Sequence, residues 1–481
     1  MKKIIVCLLL LSMILCTFAS CKNKEEETDT TIPIEVDTGD GLPDVDMDGY
    51  KFSILQYNTE WFTWSESTLV PQSEESMGNK LYEEMYKRNV SLEDRFNFTF
   101  DIHPQKMIGV NEIETLAMAG DQTYDVIMYY DKWVINSVQY FKDWNACEYL
   151  RLDEDHWNPN LTQNFKIKNK QFALSGDFSL GMLSRTTAML FNKTMYKDYV
   201  GQGEVKPIYD SVKNGDWTLE EFYNTAKIIA SSEDETWNEE DTYGVCASKK
   251  SYYFSMMIGS NVKFTDLKKD GNLTFTLPTD QSSKDKLEKI LEYNKGDYAR
   301  VHFDNSDNID LSRPLNFFED GHTLFAIKSL VDIPKVRANM EEEFGIVPIP
   351  KYDTEQTEYI NSCDGGDVAC LLSTVPDSEL ENIGIIMEAW AYSSNQSLIP
   401  LYKEELIKSR YASDVDSYEI LDIVFDGAYA AGGLGGINMD TVMRELVTSY
   451  FIPQDTGLAS LLQMMAPAVK SSIRQLLNNI D

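Results

Sequence analysis

Between residues 50 and 129, strand-like and helix-like segments take turns, and this alternation constrains the fold more than any other feature of the chain. Tyr50, Phe52 and Ile54 alternate with Lys51 and Ser53, which predicts a strand ending near Gln56 and Tyr57. From Asn79 to Phe96 the pairs Leu81/Met85, Tyr82/Tyr86 and Leu92/Phe96 recur at helical spacing. Phe98, Phe100 and Ile102 then alternate as a second strand. A short helix carrying Ile113, Leu116 and Ala117 stops at Gly120, a residue that tolerates the left-handed cap. Tyr124 to Tyr129 is a nearly continuous apolar run, the pattern of a strand covered on both faces. Strands and helices alternating at this interval imply right-handed crossovers and a parallel sheet, and therefore an α/β fold.

Ligands of open α/β sheets sit outside the carboxyl ends of the strands. The first strand runs into Tyr57, Asn58, Thr59, Glu60, Trp61, Phe62, Thr63 and Trp64, and the third into Tyr130, Asp131, Lys132 and Trp133. Flat apolar rings stand here where Gly, Ser and Asn are usual, so both loops are read as ligand contacts. The competing reading makes Trp61 and Trp133 lids on the core.

At 481 residues the chain exceeds what one core fills, so two lobes or more are expected. Its 43 Lys and Arg against 78 Asp and Glu leave a net charge of −35. That balance excludes most nucleic-acid binding and argues against anionic solutes, while leaving neutral ones open. Four His residues are scattered, which gives little support to a His-based metal site or triad. No catalytic residue, metal or cofactor is assigned. Cys147, Cys246, Cys363 and Cys370 form no zinc pattern. Cys363 and Cys370 are spaced for a small disulfide loop and equally for buried thiols acting as small hydrophobes; the second is preferred.

Downstream, Trp217-Thr218-Leu219-Glu220-Glu221-Phe222 reads as a helix start, with Thr218 as cap, Glu221 as its reciprocal partner and Trp217 stapled to Phe222. The acidic loop from Ser232 to Asp241 lacks the Gly and spaced acids of a calcium loop and reads as a solvated turn. Beyond Leu380 the chain is helical: a Ser378/Glu381 capping box precedes Ile383, Ile386, Met387 and Trp390. Leu458, Leu461, Leu462 and Met465 form a last stripe, continued by Val469, Ile473 and Leu476 past an expected break at Pro467.

The amino terminus reads as an address. Lys2 and Lys3 precede an apolar run from Ile4 to Leu15, too short to span a bilayer, which leads into Phe18-Ala19-Ser20-Cys21. Small residues directly before a Cys resemble the bacterial lipobox, in which Cys21 becomes the first mature residue and carries the acyl chains (palmitate among them) that anchor it. An ordinary signal with a chance Cys is the less favoured alternative. Residues 22–48 have no apolar periodicity and are read as a disordered tether reaching roughly 30 Å.

Several mid-chain segments carry a family resemblance. They are Gly120-Asp121 before Tyr124-Asp125-Val126; Phe191-Asn192-Lys193; Asp216 to Phe222; Asp241-Thr242-Tyr243-Gly244; Phe318-Glu319-Asp320-Gly321 with Leu324-Phe325; and Phe344 to Tyr352. In this order they resemble the extracellular solute-binding lipoproteins of bacterial ABC importers, of the carbohydrate-oriented class. The resemblance implies a two-lobed periplasmic-binding-protein-like type II fold with hinge-crossing strands and a helical C-terminal part. Its implied divisions are a signal peptide over 1–20, a tether over 21–48, lobe one from 49–185 plus 327–375, and lobe two from 186–326 plus 376–481. Crossings are placed near Leu183–Phe191, Ala326–Phe344 and Leu372–Pro376. It further implies a monomer anchored by lipid on the outer face of the cell membrane, capturing a small-molecule solute, most simply an oligosaccharide, for ABC permease subunits.

The contact residues of that family vary with ligand, so those expected here follow from strand ends and composition: rings to stack on sugar C–H faces, polar groups for hydroxyls. They are Tyr57, Trp61, Trp64, Tyr130, Asp131 and Trp133, with Asp177, Tyr252, Tyr253, Lys328, Asp364 and Asp367 from later segments. Rival readings are a surface glycosidase, whose paired carboxylates chance alone supplies among 78 acids, and a cell-wall glycan-binding adhesin.

Overall fold

The computed structural model describes residues 39–58, 79–231, 241–268, 271–295, 301–303, 316–363, 365–407, 415–430, 439–454 and 457–480. The chain divides into two units, Met1–Gly41 and Leu42–Asp481. The first falls almost wholly outside the described residues, and with it the leader, Cys21 and most of the tether. The second carries the fold. Its ordered body starts earlier than residue 49: Met47 is buried and its N–H donates to Phe96 O at 2.8 Å.

Strands β1 (Tyr50–Tyr57), β2 (Phe98–Gln105) and β3 (Val126–Tyr130) are parallel, with helices α1 (Lys80–Phe96) and α2 (Val110–Ala119) as crossovers. The register runs from Tyr50 opposite Phe98 to Tyr57 opposite Gln105. Gly120 closes α2 at φ +67°, a conformation that glycine adopts at no steric cost, and its N–H reaches Ala117 O. The expected parallel unit is therefore present.

A second sheet holds β4 (Thr187–Asn192), β5 (Tyr243–Ala247), β6 (Val301–Phe303), β7 (Thr323–Ser329) and β8 (Phe344–Val347) in the order β6-β5-β7-β4-β8. Here β5 is parallel to β6 and β7, whereas β4 runs against β7 and β8. The chain then passes through β9 (Asn361–Cys363) to β10 (Asp367–Cys370), which joins the first sheet antiparallel to β3, giving the order β10-β3-β1-β2. The two sheets are the cores of the two lobes. Between β7 and β8 the chain stays within the second sheet, because both ends pair with β4; the crossing expected at Ala326–Phe344 is not there. The segment 344–347, grouped above with the first lobe, accordingly lies in the second sheet. The return to the first sheet falls at 363–367, ahead of the expected Leu372–Pro376.

Helix α3 (Leu219–Ile229) starts as expected: Thr218 Oγ1 accepts from the Glu221 N–H at 3.4 Å, and the Trp217 and Phe222 rings meet edge-on at 6.0 Å. The Glu221 carboxylate instead pairs with Lys206 at 3.7 Å. The carboxyl-terminal part is helical. Helix α4 (Lys249–Gly259) lies earlier, directly after β5, whereas α5 (Leu380–Ile407), α6 (Met439–Leu446) and α7 (Leu458–Ile480) belong to this last part. Pro467 does not break α7. Leu458, Leu462, Ala466, Val469, Ile473, Leu476 and Ile480 bury one continuous face at three- and four-residue intervals, and that packing outweighs the one backbone bond a proline removes. The four cysteines among the described residues, Cys147, Cys246, Cys363 and Cys370, are buried thiols, and Cys363 and Cys370 are not joined in a disulfide. The Cys363 thiol donates to Met182 O at 3.3 Å, and burial pushes it up to about 12, so it behaves as an inert core group.

Candidate functional site

The carboxyl ends of strands from both sheets converge on one cavity of about 250 Å³. From the first sheet, β3 ends at Tyr130 and delivers Lys132 to the wall. From the second, β5 ends at Ala247, and Ser248 caps α4 by accepting from the Ser251 N–H at 3.1 Å. Strand β7 ends in Lys328 and Ser329, paired with Ala188 and Thr187 at the start of β4. Thr187 Oγ1 donates to Ser362 O at 2.9 Å and so joins β4 to β9 at the cavity floor. Arg185, Phe254, Asp440 and Met443 complete the part of the lining that matters here. The wall thus mixes two aromatic rings, Phe254 and Phe318, and several apolar groups with hydroxyls and charges, as a polyhydroxylated ligand requires.

Side chains of α4 reach the cavity at Lys250, Ser251, Phe254, Ser255 and Ile258, a four-residue repeat along one face. Tyr252 and Tyr253 lie off that face. Tyr252 is fully buried, its hydroxyl 2.5 Å from that of Tyr223 and donating to Asn294 Oδ1 at 2.8 Å; Tyr253 stacks on Phe451 at 4.5 Å. Both belong to the second lobe's core rather than to the ligand site expected of them. The signal that identifies the cavity-facing residues is the helix phase set by the Ser248 cap.

Tyr57 is likewise core: it is fully buried and its hydroxyl donates to Ile108 O at 2.7 Å. Asp131 is fully buried at the start of the helix Asp131–Ser137 that follows β3. It exchanges bonds with the returning chain, its N–H donating to Gly366 O at 3.0 Å and its Oδ1 accepting from the Gly366 N–H at 3.3 Å. Asp131 is therefore a clasp on the 363–367 crossing. Gly365 sits there at φ +87°, and a Cβ would come within 2.8 Å of the Tyr130 ring. Tyr130 and Trp133 are half-buried and meet edge-on at 5.2 Å, beside Lys132. Asp367 is buried within β10. Lys328 lines the cavity. Trp61, Trp64 and Asp364 lie outside the described residues, as does the acidic loop apart from Asp241. Arg185, Thr187, Ser248, Ser251, Phe254 and Asp440 were missed by sequence reasoning, because crossing segments and helix phase cannot be read without the sheet order.

Asp177 sits away from the cavity, accepting from Asn395 Nδ2 at 2.8 Å. Burial pushes its carboxyl up to about 7. The folded value lies above the unfolded one, so the stability this group contributes is full below about pH 4 and is lost as pH rises through 7. Asp177→Asn is expected to match wild type near pH 4 and to exceed it by about 1–3 kcal/mol at pH 8 in urea unfolding.

Among the described residues, no group of three His, Cys, Asp or Glu is placed to hold a metal ion, and no helix is long and apolar enough to cross a membrane. No family model and no curated protein matches the chain. Solved structures do. UspC of M. tuberculosis aligns over 88% of this chain and 100% of its own, with a TM-score of 0.56 at 12% identity. The cyclic alpha-maltosyl-1,6-maltose binding protein of Arthrobacter globiformis aligns over 89% and 100%, with 0.53 at 13%. An ABC transporter solute-binding protein of Thermotoga lettingae, bound with alpha-D-tagatose, aligns over 88% and 100%, with 0.50 at 14%. With its two sheets, its strand crossings and the cavity where the strand ends meet, the chain has the two-lobed periplasmic-binding-protein-like fold that these solved structures share.

Proposed function

We propose that this protein captures a saccharide between its lobes and delivers it unaltered to an ABC permease. The observation that carries the reading is the cavity itself, formed where strand ends of both sheets converge and lined by hydroxyls, charges and the Phe254 ring. Two proteins of the same fold are a binder of a cyclic maltosyl-maltose and one holding tagatose, which supports a sugar as the solute. A cavity of about 250 Å³ lies just under the roughly 300–1,000 Å³ usual for small-molecule sites, so an oligosaccharide would seat one part there and extend outward. Solute touching both lobes favours the closed arrangement by the contacts made only there, which shifts a pre-existing equilibrium. A binding role needs no covalent step, and the protein acts as a monomer.

Calorimetry against a glycan panel tests the reading: saturable heat with at least one sugar, recovered intact afterwards, is expected. Heat with peptides alone, or recovery of shortened sugars, contradicts it. The protein works tethered through acylated Cys21 to the outer face of the cell membrane. Fractionation of Cys21→Ala is expected to move it from membrane to soluble fractions, and its retention on the membrane would refute the anchor.

A further inference from the structure

We infer that the saccharide taken by this cleft carries a negative charge, as a carboxylate or as a sulfate or phosphate ester, and that Lys328 meets it. The inference rests on the saccharide reading above and names the chemical class of the ligand. In the whole chain, acids outnumber bases by 78 to 43. Around the cavity the balance is inverted: Lys132, Arg185, Lys250, Lys328 and Lys335 face Glu319, Asp332 and Asp440, five cations against three carboxylates among the described residues. Asp440 is already engaged, 3.6 Å from Lys132 and 2.5 Å from Arg444. Lys328 stands half-buried at the end of β7, and among the described residues no carboxylate lies within ion-pair distance of it. Desolvating an ammonium without a partner is unfavourable, and a ligand anion removes that penalty.

Helix α4 adds a second observation. Its amino-terminal end lines the cavity at Ser248, Lys250 and Ser251, and its first turn carries Lys249 and Lys250 and no acid. Cations at the positive end of a helix dipole oppose the helix; an anion in the cavity relieves both charges at once. The net charge of −35 does not counter this locally. At physiological salt, exposed charges more than about 8 Å away are largely screened, while the lining cations contact the ligand.

The test is calorimetry on the full mature chain with matched oligosaccharides: galacturonate oligomers, sulfated and phosphorylated galactose oligomers, and neutral galactose oligomers of the same lengths. At least one charged series is expected to bind about 10-fold or more tighter than the neutral one, and to weaken as NaCl rises from about 0.05 to 0.5 M. The series that binds identifies the anionic group. Lys328→Gln is expected to bring the charged sugar down towards the neutral one with an unchanged melting profile. Should that variant not fold, the salt dependence of the wild type decides. Neutral oligomers binding as tightly as every charged series, without salt dependence, would overturn the inference and leave the saccharide reading standing. Absence of binding by any sugar overturns both.

Discussion

Replacing Glu388 by Ala is expected to destabilise the protein by about 3–5 kcal/mol, the cost of removing one member of a buried charged network. Glu388 lies on α5 with its carboxylate wholly inaccessible. Its Oε1 accepts from Arg151 Nε at 2.8 Å and meets His156 Nε2 at 2.9 Å; its Oε2 accepts from the Arg151 N–H at 3.0 Å and from Trp157 Nε1 at 2.8 Å. One carboxylate thus fixes the 151–157 turn to the helix. Truncation would leave the buried Trp157 N–H and His156 ring without an acceptor. Burial alone would raise this carboxyl, but the bonds from His156, the Arg151 backbone and Trp157 together hold it below its ordinary 4.5. Its stabilisation is therefore full above pH 4.5 and is lost as pH falls through the lower folded value. Urea unfolding at pH 7 measures the loss, and the gap between wild type and Glu388→Ala is expected to narrow in acid below that value. Equal stability at pH 7 would mean that the network contributes nothing net.

Trp217→Ala carries an expected cost of similar size, about 3–5 kcal/mol. The indole is fully buried, donates from Nε1 to Pro348 O at 2.9 Å, and packs against Phe222 at 6.0 Å and Phe325 at 5.8 Å. It therefore joins the start of α3, strand β7 and the segment leaving β8. The same junction is reinforced by the Leu219 N–H donating to Lys351 O at 2.7 Å. Because β7 also ends in Lys328, the loss should reach the ligand site: chemical denaturation reports the stability change, and calorimetry of the variant below its unfolding midpoint reports weakened binding. Trp217→Phe, which keeps a ring but lacks the donor, is expected to cost less than half as much.

The first lobe was legible because its strands and helices are encoded locally. Alternation at Tyr50–Ile54, the cap at Gly120 and the buried run to Tyr129 each specify one element without reference to the rest of the chain. The second lobe was harder, since β4 lies between β7 and β8 and its neighbours come from far along the chain. For the same reason a tight pairing of β8 with β4 was read as a crossing. At the site, strand-end reasoning named Lys328, which lines the cavity, and Tyr130, Asp131 and Trp133, which do not, although their neighbour Lys132 does. It placed Tyr57 and the Tyr252–Tyr253 pair at the ligand although all three are core, because composition marks a residue as aromatic without saying which way it faces. Arg185 and Ser362 carry no local signal at all; they reach the cavity only because two separate crossing segments meet there.

Small-angle X-ray scattering of the mature protein, with and without a sugar that calorimetry shows to bind, bears most directly on the whole account. Binding is expected to shrink the radius of gyration as the lobes draw together, with the sugar recovered chemically intact. An unchanged scattering profile at saturating sugar, or a sugar converted to product, would contradict it.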